Sequence, residues 1–186
     1  IVPLKSQEEQ NKNISELLEN NDYSKKFLLG LREKYSKIET KSVSIVTCTN
    51  KPHFIKNIFQ NYRNQVFEKK ELIIILNRDD IDINKWKKKA EKESNVFIYQ
   101  LSQEKSLGQC YNFAVEKTNY DFIATFDDDD YYAPNYLTDL MHAFLYTDAD
   151  IVGKLTYFLY LETKHILAIR NRSQEYKYLD SSLFLD

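Results

Sequence analysis

Asp127-Asp128-Asp129-Asp130 puts four carboxylates in a row, directly after the apolar run Phe122-Ile123-Ala124-Thr125-Phe126 and just before Tyr131-Tyr132. Carboxylates held side by side repel. Two unit charges about 6 Å apart repel by about 3 kcal/mol at the effective dielectric near a protein surface, against about 0.7 kcal/mol in bulk water. At the end of a buried strand the common remedy is a divalent cation. Mg²⁺ and Mn²⁺ take hard oxygen ligands, often one or two carboxylates together with phosphate oxygens. The chemistry expected here is a metal site that holds a phosphorylated substrate. The plain alternative is a solvated acidic turn.

Other chemistry-bearing residues are sparse. Cys48 and Cys110 are the only cysteines, and they read as free thiols in a reducing compartment. His53, His142 and His165 are scattered without metal-ligand spacing and read as surface or packing residues. Lys+Arg (26) nearly balance Asp+Glu (28) for a net charge of −2, which argues against a general nucleic-acid binder. The basic Lys85–Lys89 stretch reads as the wet face of a helix whose Ile83, Trp86 and Ala90 point inward. No apolar run approaches the roughly 18 residues that span a bilayer, and no transmembrane segment or signal peptide is expected. A chain of 186 residues, 42% of them apolar, can bury one substantial core. It begins at Ile1 rather than Met, and so reads as part of a longer protein.

The acids need elements to hold them. Residues 1–41 read as a helical N-terminal extension, with Ile14, Leu17 and Leu18 at helical spacing and a second helix starting near Asp22. From Val43 the pattern alternates. Val43–Cys48, Leu72–Leu76, Val96–Leu101 and Phe122–Phe126 read as strands. Helices are expected from Pro52, around Trp86, over 107–117, and from Pro134 to about Tyr146. Strand alternating with helix predicts an α/β fold: a mostly parallel central sheet with helices on both faces. The apolar Leu72–Leu76 run predicts burial on both faces. Leu155–Leu161 and His165–Ile169 predict a C-terminal antiparallel hairpin, and Ser181–Leu185 a last strand. Ligands of open α/β sheets sit beyond the carboxyl ends of the strands, where the strand order reverses. Thr47–Asn50, Asn77–Asp80 and Asp127–Asp130 all fall at such ends.

Over residues 42–186 the sequence resembles a family 2 glycosyltransferase of the nucleotide-sugar-binding GT-A type. Val43-Ser44-Ile45-Val46-Thr47-Cys48-Thr49-Asn50-Lys51-Pro52 resembles the family's first strand and turn. Leu72–Leu76 with Asn77 resembles the second strand. Ser106-Leu107-Gly108-Gln109-Cys110-Tyr111-Asn112 resembles the segment ending in an Asn near the nucleotide. Asp121–Asp130 resembles the strand that delivers the Asp-x-Asp motif, with Asp127–Pro134 like a subset that carries four acids and an aromatic pair.

The resemblance implies a metal-dependent inverting transfer of a sugar from a nucleotide-diphosphate donor, such as a UDP-sugar, to a saccharide or other hydroxyl acceptor. It implies Thr49 in the nucleoside pocket, Asn77 by the base, Asn112 near the nucleotide, Asp127 at the ribose or metal, and Asp129 on an Mn²⁺ or Mg²⁺ ion bridging the diphosphate. By the same analogy the protein is cytoplasmic, at the inner face of the membrane, and works in cell-envelope polysaccharide assembly. Asn77 departs from the family, which usually has an acid there, and Tyr111 stands where Arg is frequent. No Glu-Asp pair follows the acids to serve as general base, so the base is expected beyond Asp186.

Rival readings are fewer. A sugar-nucleotide pyrophosphorylase would show a Gly-rich loop after the first strand, and Thr49–Pro52 contains no Gly. An EF-hand loop would need Gly where Tyr132 stands. A dehalogenase-type phosphatase would carry its Asp-x-Asp near the first strand. A nucleotide-sugar-binding module without catalysis stays open, because no base is evident.

Overall fold

The direction in which the chain winds decides which face each helix covers. The computed structural model describes residues 2–3, 22–38 and 41–172. Strands β2 (Val43–Thr49), β3 (Lys70–Asn77), β4 (Val96–Leu101) and β5 (Phe122–Thr125) form one parallel sheet in the order β4-β3-β2-β5. Val43 pairs with Lys70 on one side and with Phe122 on the other. From β2 the chain steps outward to β3 and then β4, through helices α2 (Ile55–Asn64) and α3 (Ile83–Ala90). It then returns through α4 (Leu107–Val115) to β5, on the far side of β2. Parallel crossovers are right-handed, so the reversal puts α4 on the face opposite α2 and α3.

The burial pattern agrees with that handedness. Side chains alternate across a strand. Ile45, Leu72, Ile74 and Leu76 join a core with Ile58, Phe59 and Tyr62 of α2, Trp86 of α3, and Leu137 and Met141 of α5 (Tyr136–Ala143). Val46, Ile73 and Ile75 face the other way and pack on Cys110 and Ala114 of α4. Leu72 to Leu76 are at most 1% exposed, as expected of an inner strand covered on both faces.

One expectation needs correction. The sequence predicts a buried strand before the acids, but β5 is an edge strand of the sheet. Its residues alternate between half-buried and exposed, and Ile123 is 43% exposed. The acid run therefore leaves the sheet at its rim, where water reaches part of it.

The described chain divides into two compact units, one of residues 34–147 and one drawn from residues before 34 and after 147. The first contains the parallel sheet. In the second, β6 (Tyr157–Leu161) and β7 (Ile166–Arg170) form the expected antiparallel hairpin, and β1 (Val2–Pro3) pairs with β7. His165 is a turn residue rather than the first strand residue. Its φ of 48° lies in the left-handed region, where it closes the short 3-10 turn Glu162–Lys164. Helix α1 (Asp22–Tyr35) starts where Asp22 predicts, whereas Val2–Pro3 is strand. The helical spacing of Ile14, Leu17 and Leu18, and the strand expected over 181–185, lie outside the described residues. No helix among the described residues is long and apolar enough to cross a membrane.

A candidate functional site at the strand reversal

The strand order reverses between β2 and β5, so the crevice that an open α/β sheet offers to ligands opens between their carboxyl ends. The residues at that place are Thr49, closing β2, and Asp127–Asp130, following β5. Thr49 is buried, and its hydroxyl donates to Asp128 Oδ2, joining the two strand ends across 79 residues of sequence. The Thr49 oxygen in turn accepts from the Lys51 backbone N–H at 3.0 Å, which fixes the turn that delivers Lys51. Pro52 then opens the short 3-10 turn Pro52–Phe54 that leads into α2.

Lys51 and Thr49 account for how the four acids are tolerated. The Lys51 ammonium lies 2.8 Å from Asp129 Oδ2 and 3.5 Å from Asp128 Oδ1. Asp128 is the buried member of the run, at 7% exposure, and the Thr49 hydroxyl satisfies it. The hydrogen bond from Lys51 holds the Asp129 carboxyl below the usual carboxylate range. Asp127 moves the other way. Partial burial pushes its carboxyl up, and repulsion from Asp130, Asp129 and Asp128 adds to that. Asp127 and Asp129, two residues apart, are thus shifted in opposite directions by their surroundings.

The aromatic pair after the acids splits. Tyr132 is buried and stacks on Phe126, with ring centroids 3.8 Å apart and planes within 7°. Its hydroxyl accepts from the Asp127 backbone N–H at 2.9 Å. Tyr132 is therefore a packing residue, while Tyr131 is 70% exposed.

Beside the acids lies a cavity of about 390 Å³ lined by Asn50, Lys51, Pro52, His53, Asn77, Arg78 and Gln103. Lys51 belongs to both places. Asn77 ends β3 and donates from Nδ2 to the Ser102 carbonyl at 2.8 Å, leaving its Oδ1 to serve as an acceptor in the cavity. Arg78 is held by Asp80, with Nη2 at 2.8 Å from Oδ2.

Of the residues singled out from the sequence, the structure brings Thr49, Asp127 and Asp129 to the crevice and Asn77 to the adjoining cavity. Asn112 is an exposed residue of α4. Burial pushes the phenol of its neighbour Tyr111 up to about 12, with smaller contributions from Cys48, Asp127 and Asp128. Sequence reasoning missed Lys51, the role of Asp128, and three amides of α2 and its C-cap (Asn57, Asn61 and Gln65) that hold the loop's backbone. Their signal was a polar stripe at helical spacing on a helix that is otherwise apolar on its inner side. Cys48 and Cys110 are free. Burial pushes the Cys48 thiol up to about 12, which makes it a poor nucleophile.

A cation at these acids would have to borrow ligands from elsewhere. Among the described residues no group of three or more His, Cys, Asp or Glu could by itself hold a metal ion. Asp127 and Asp129 offer exposed hard oxygens, and a positive charge, the Lys51 ammonium, already sits on Asp129. Two such carboxylates could hold an ion whose coordination is completed by phosphate oxygens, in exchange for that ammonium.

The parallel α/β sheet with helices on both faces is the fold class expected from the sequence. The chain belongs to glycosyl transferase family 2, whose sequence model matches residues 43–182. No curated protein sequence matches it. Solved structures that it resembles in part include S. aureus TarS 1-349, at 20% identity and a TM-score of 0.48, covering 53% of this chain and 30% of that one. The same TarS fragment in complex with UDP-GlcNAc aligns at 21% identity and a TM-score of 0.46, over 53% of this chain and 29% of that one. The mannosyltransferase PcManGT from Pyrobaculum calidifontis, in complex with GDP-Man and Mn²⁺, aligns at 14% identity and a TM-score of 0.48, over 62% and 38%. The chain thus spans well under half the length of each of these structures.

Proposed function

We propose that this chain carries the donor-binding half of a metal-dependent, inverting glycosyltransferase that takes a sugar from a nucleotide diphosphate. The observation that carries this reading is the clasp between strand ends: Thr49 of β2 holds Asp128, and Asp129 beside it stands in the crevice paired with Lys51. A diphosphate needs cations there, and the polar cavity that begins at Lys51 and ends at Asn77 suits a nucleoside.

In this reading Asp127 and Asp129 hold an Mn²⁺ or Mg²⁺ ion. Such an ion, when bound, neutralises the charge that develops on the leaving diphosphate. Lys51 then faces the phosphates from the turn after β2. Asn77 offers an amide to the base, and Thr49 acts by fixing Asp128 rather than by touching the nucleoside. No described carboxylate is assigned as the general base that activates the acceptor hydroxyl. Asn112 keeps only the role that the family resemblance gives it.

The test is a screen of nucleotide-sugars against the full-length protein with and without Mn²⁺, read as released nucleotide. Metal-dependent release from one donor class supports the reading. Tight binding without release would instead favour a non-catalytic binding module, and release that is indifferent to metal would overturn the assignment of Asp127 and Asp129.

A further inference from the structure

The loop from Asp127 to Ala133 has no regular secondary structure, yet much of its backbone is hydrogen-bonded. Backbone groups shielded from water need partners. Here the partners are side-chain amides spaced four residues apart on α2 and its C-cap. Asn57 Nδ2 donates to two carbonyls, Asp128 O at 2.7 Å and Asp130 O at 2.9 Å. Asn61 Nδ2 donates to Asp130 O at 2.8 Å, while its Oδ1 accepts from the Tyr132 N–H at 3.1 Å. Gln65 Nε2 donates to Tyr132 O at 3.2 Å and Ala133 O at 3.0 Å, and its Oε1 accepts from the Leu137 N–H at 3.0 Å. Asn61 and Gln65 are each 2% exposed.

Residues four apart share one helix face, so a single rigid stripe grips the loop along its length. Asn57 uses only its donor, but Asn61 and Gln65 each present both a donor to carbonyls and an acceptor to an N–H group, which their amides supply. A Lys or an Asp would supply one kind alone. The two bonds from Asn57 bracket Asp129, since they hold the carbonyl of its own preceding residue and that of the following one.

We propose that Asn57, Asn61 and Gln65 are positioning residues that set the acid loop before any ligand arrives, so that Asp129 does not have to be ordered by the cation and diphosphate it receives. Their value for binding rests on the proposed function of the crevice; their hold on the loop does not. A site of this kind loses function when its carboxylates drift by a fraction of an ångström, even though the fold survives.

Two measurements on the full chain separate these statements. The first is amide hydrogen exchange of Tyr132 without ligand, read by NMR. The account expects protection in the wild type and exchange faster by at least about tenfold in Asn61→Leu, which removes its acceptor. Equal exchange in both would overturn the hold on the loop. The second is affinity for Mn²⁺ with UDP, compared between Asn57→Ala and Tyr62→Phe. Tyr62 donates to Ser94 O at 2.8 Å, away from the loop, and its loss serves as a stability control. Asn57→Ala is expected to weaken binding by about tenfold at a loss of melting temperature no larger than that of Tyr62→Phe, whose affinity stays at the wild-type value. Equal affinities for the two variants would overturn the positioning role. A wild type that protects Tyr132 but binds no Mn²⁺–UDP would sink the functional reading and the positioning role with it, while leaving the grip on the loop demonstrated.

Discussion

Lys51 Nζ stands 2.8 Å from Asp129 Oδ2, so the carboxylate assigned to a cation already holds one that belongs to the protein. The pair joins the turn after β2 to the loop after β5, residues 78 apart in sequence. A divalent ion must displace or share that ammonium. Lys51→Met is therefore expected to bind Mn²⁺ several-fold more tightly in the absence of nucleotide, measured by electron paramagnetic resonance at low salt, with the gain shrinking as ionic strength rises. Weaker binding would show that Lys51 assists the ion rather than competing with it.

Asp127 gives a pH-dependent prediction of definite sign. Its carboxyl is raised by burial and by Asp130, Asp129 and Asp128, so its charged form is disfavoured in the fold. That penalty is fully present above its raised folded pKa and vanishes once pH falls below the ordinary carboxylate value of about 4. Asp127→Asn should raise the melting temperature at pH 7 by a degree or two, a small effect because solvent screens the site. The gain should fade on acidification through the raised value. Asp129 has the opposite sign: its depressed carboxyl stabilises the fold above the ordinary value, and that contribution is lost as pH falls through its lower folded value. A melting-temperature series on Asp127→Asn between pH 3 and 7 tests the first trend; a gain that grew on acidification would contradict it.

At the opposite end of the sheet, Glu71 is 2% exposed and accepts from the Asn119 N–H and the Asn119 Nδ2 amide, both at 2.7 Å, and from the Ser44 hydroxyl. This ties β2 and β3 to the chain entering β5. Glu71→Ala strands those donors and should destabilise the protein by about 3 kcal/mol in urea unfolding. A change below about 1 kcal/mol would mean that water replaces the carboxylate freely.

The thiols should be quiet. With its pKa pushed to about 12 by burial and the neighbouring Cys110, Cys48 is almost entirely protonated at pH 8. Iodoacetamide should label it far more slowly in the native protein than after urea, as read by mass spectrometry. Fast native labelling would contradict the burial argument.

The sheet was legible because Leu72–Leu76 is apolar at every position, which a doubly covered strand allows, and because Val43–Thr49 carries β-branched and small residues throughout. The acid run was legible as chemistry because it abuts an apolar strand. Its surroundings were not. Lys51 and Asp129, or Thr49 and Asp128, are partners only once β2 and β5 lie side by side, and no local pattern encodes that pairing. Asn57, Asn61 and Gln65 were visible as a four-residue spacing, yet a polar stripe on a helix ordinarily faces water. Tyr131 and Tyr132 are alike in sequence, and only the loop's backbone path sends one into the core and the other out. The edge position of β5 followed from strand order, which element patterns leave open.

The most direct test of the central claim is calorimetric titration of UDP into the wild type and into Asp129→Ala, each with and without Mn²⁺. The account predicts that Mn²⁺ strengthens wild-type binding and that Asp129→Ala abolishes this strengthening while its melting temperature stays near the wild-type value. Equal, metal-enhanced affinity in both proteins would show that Asp129 does not hold the ion, and would contradict the assignment of the crevice.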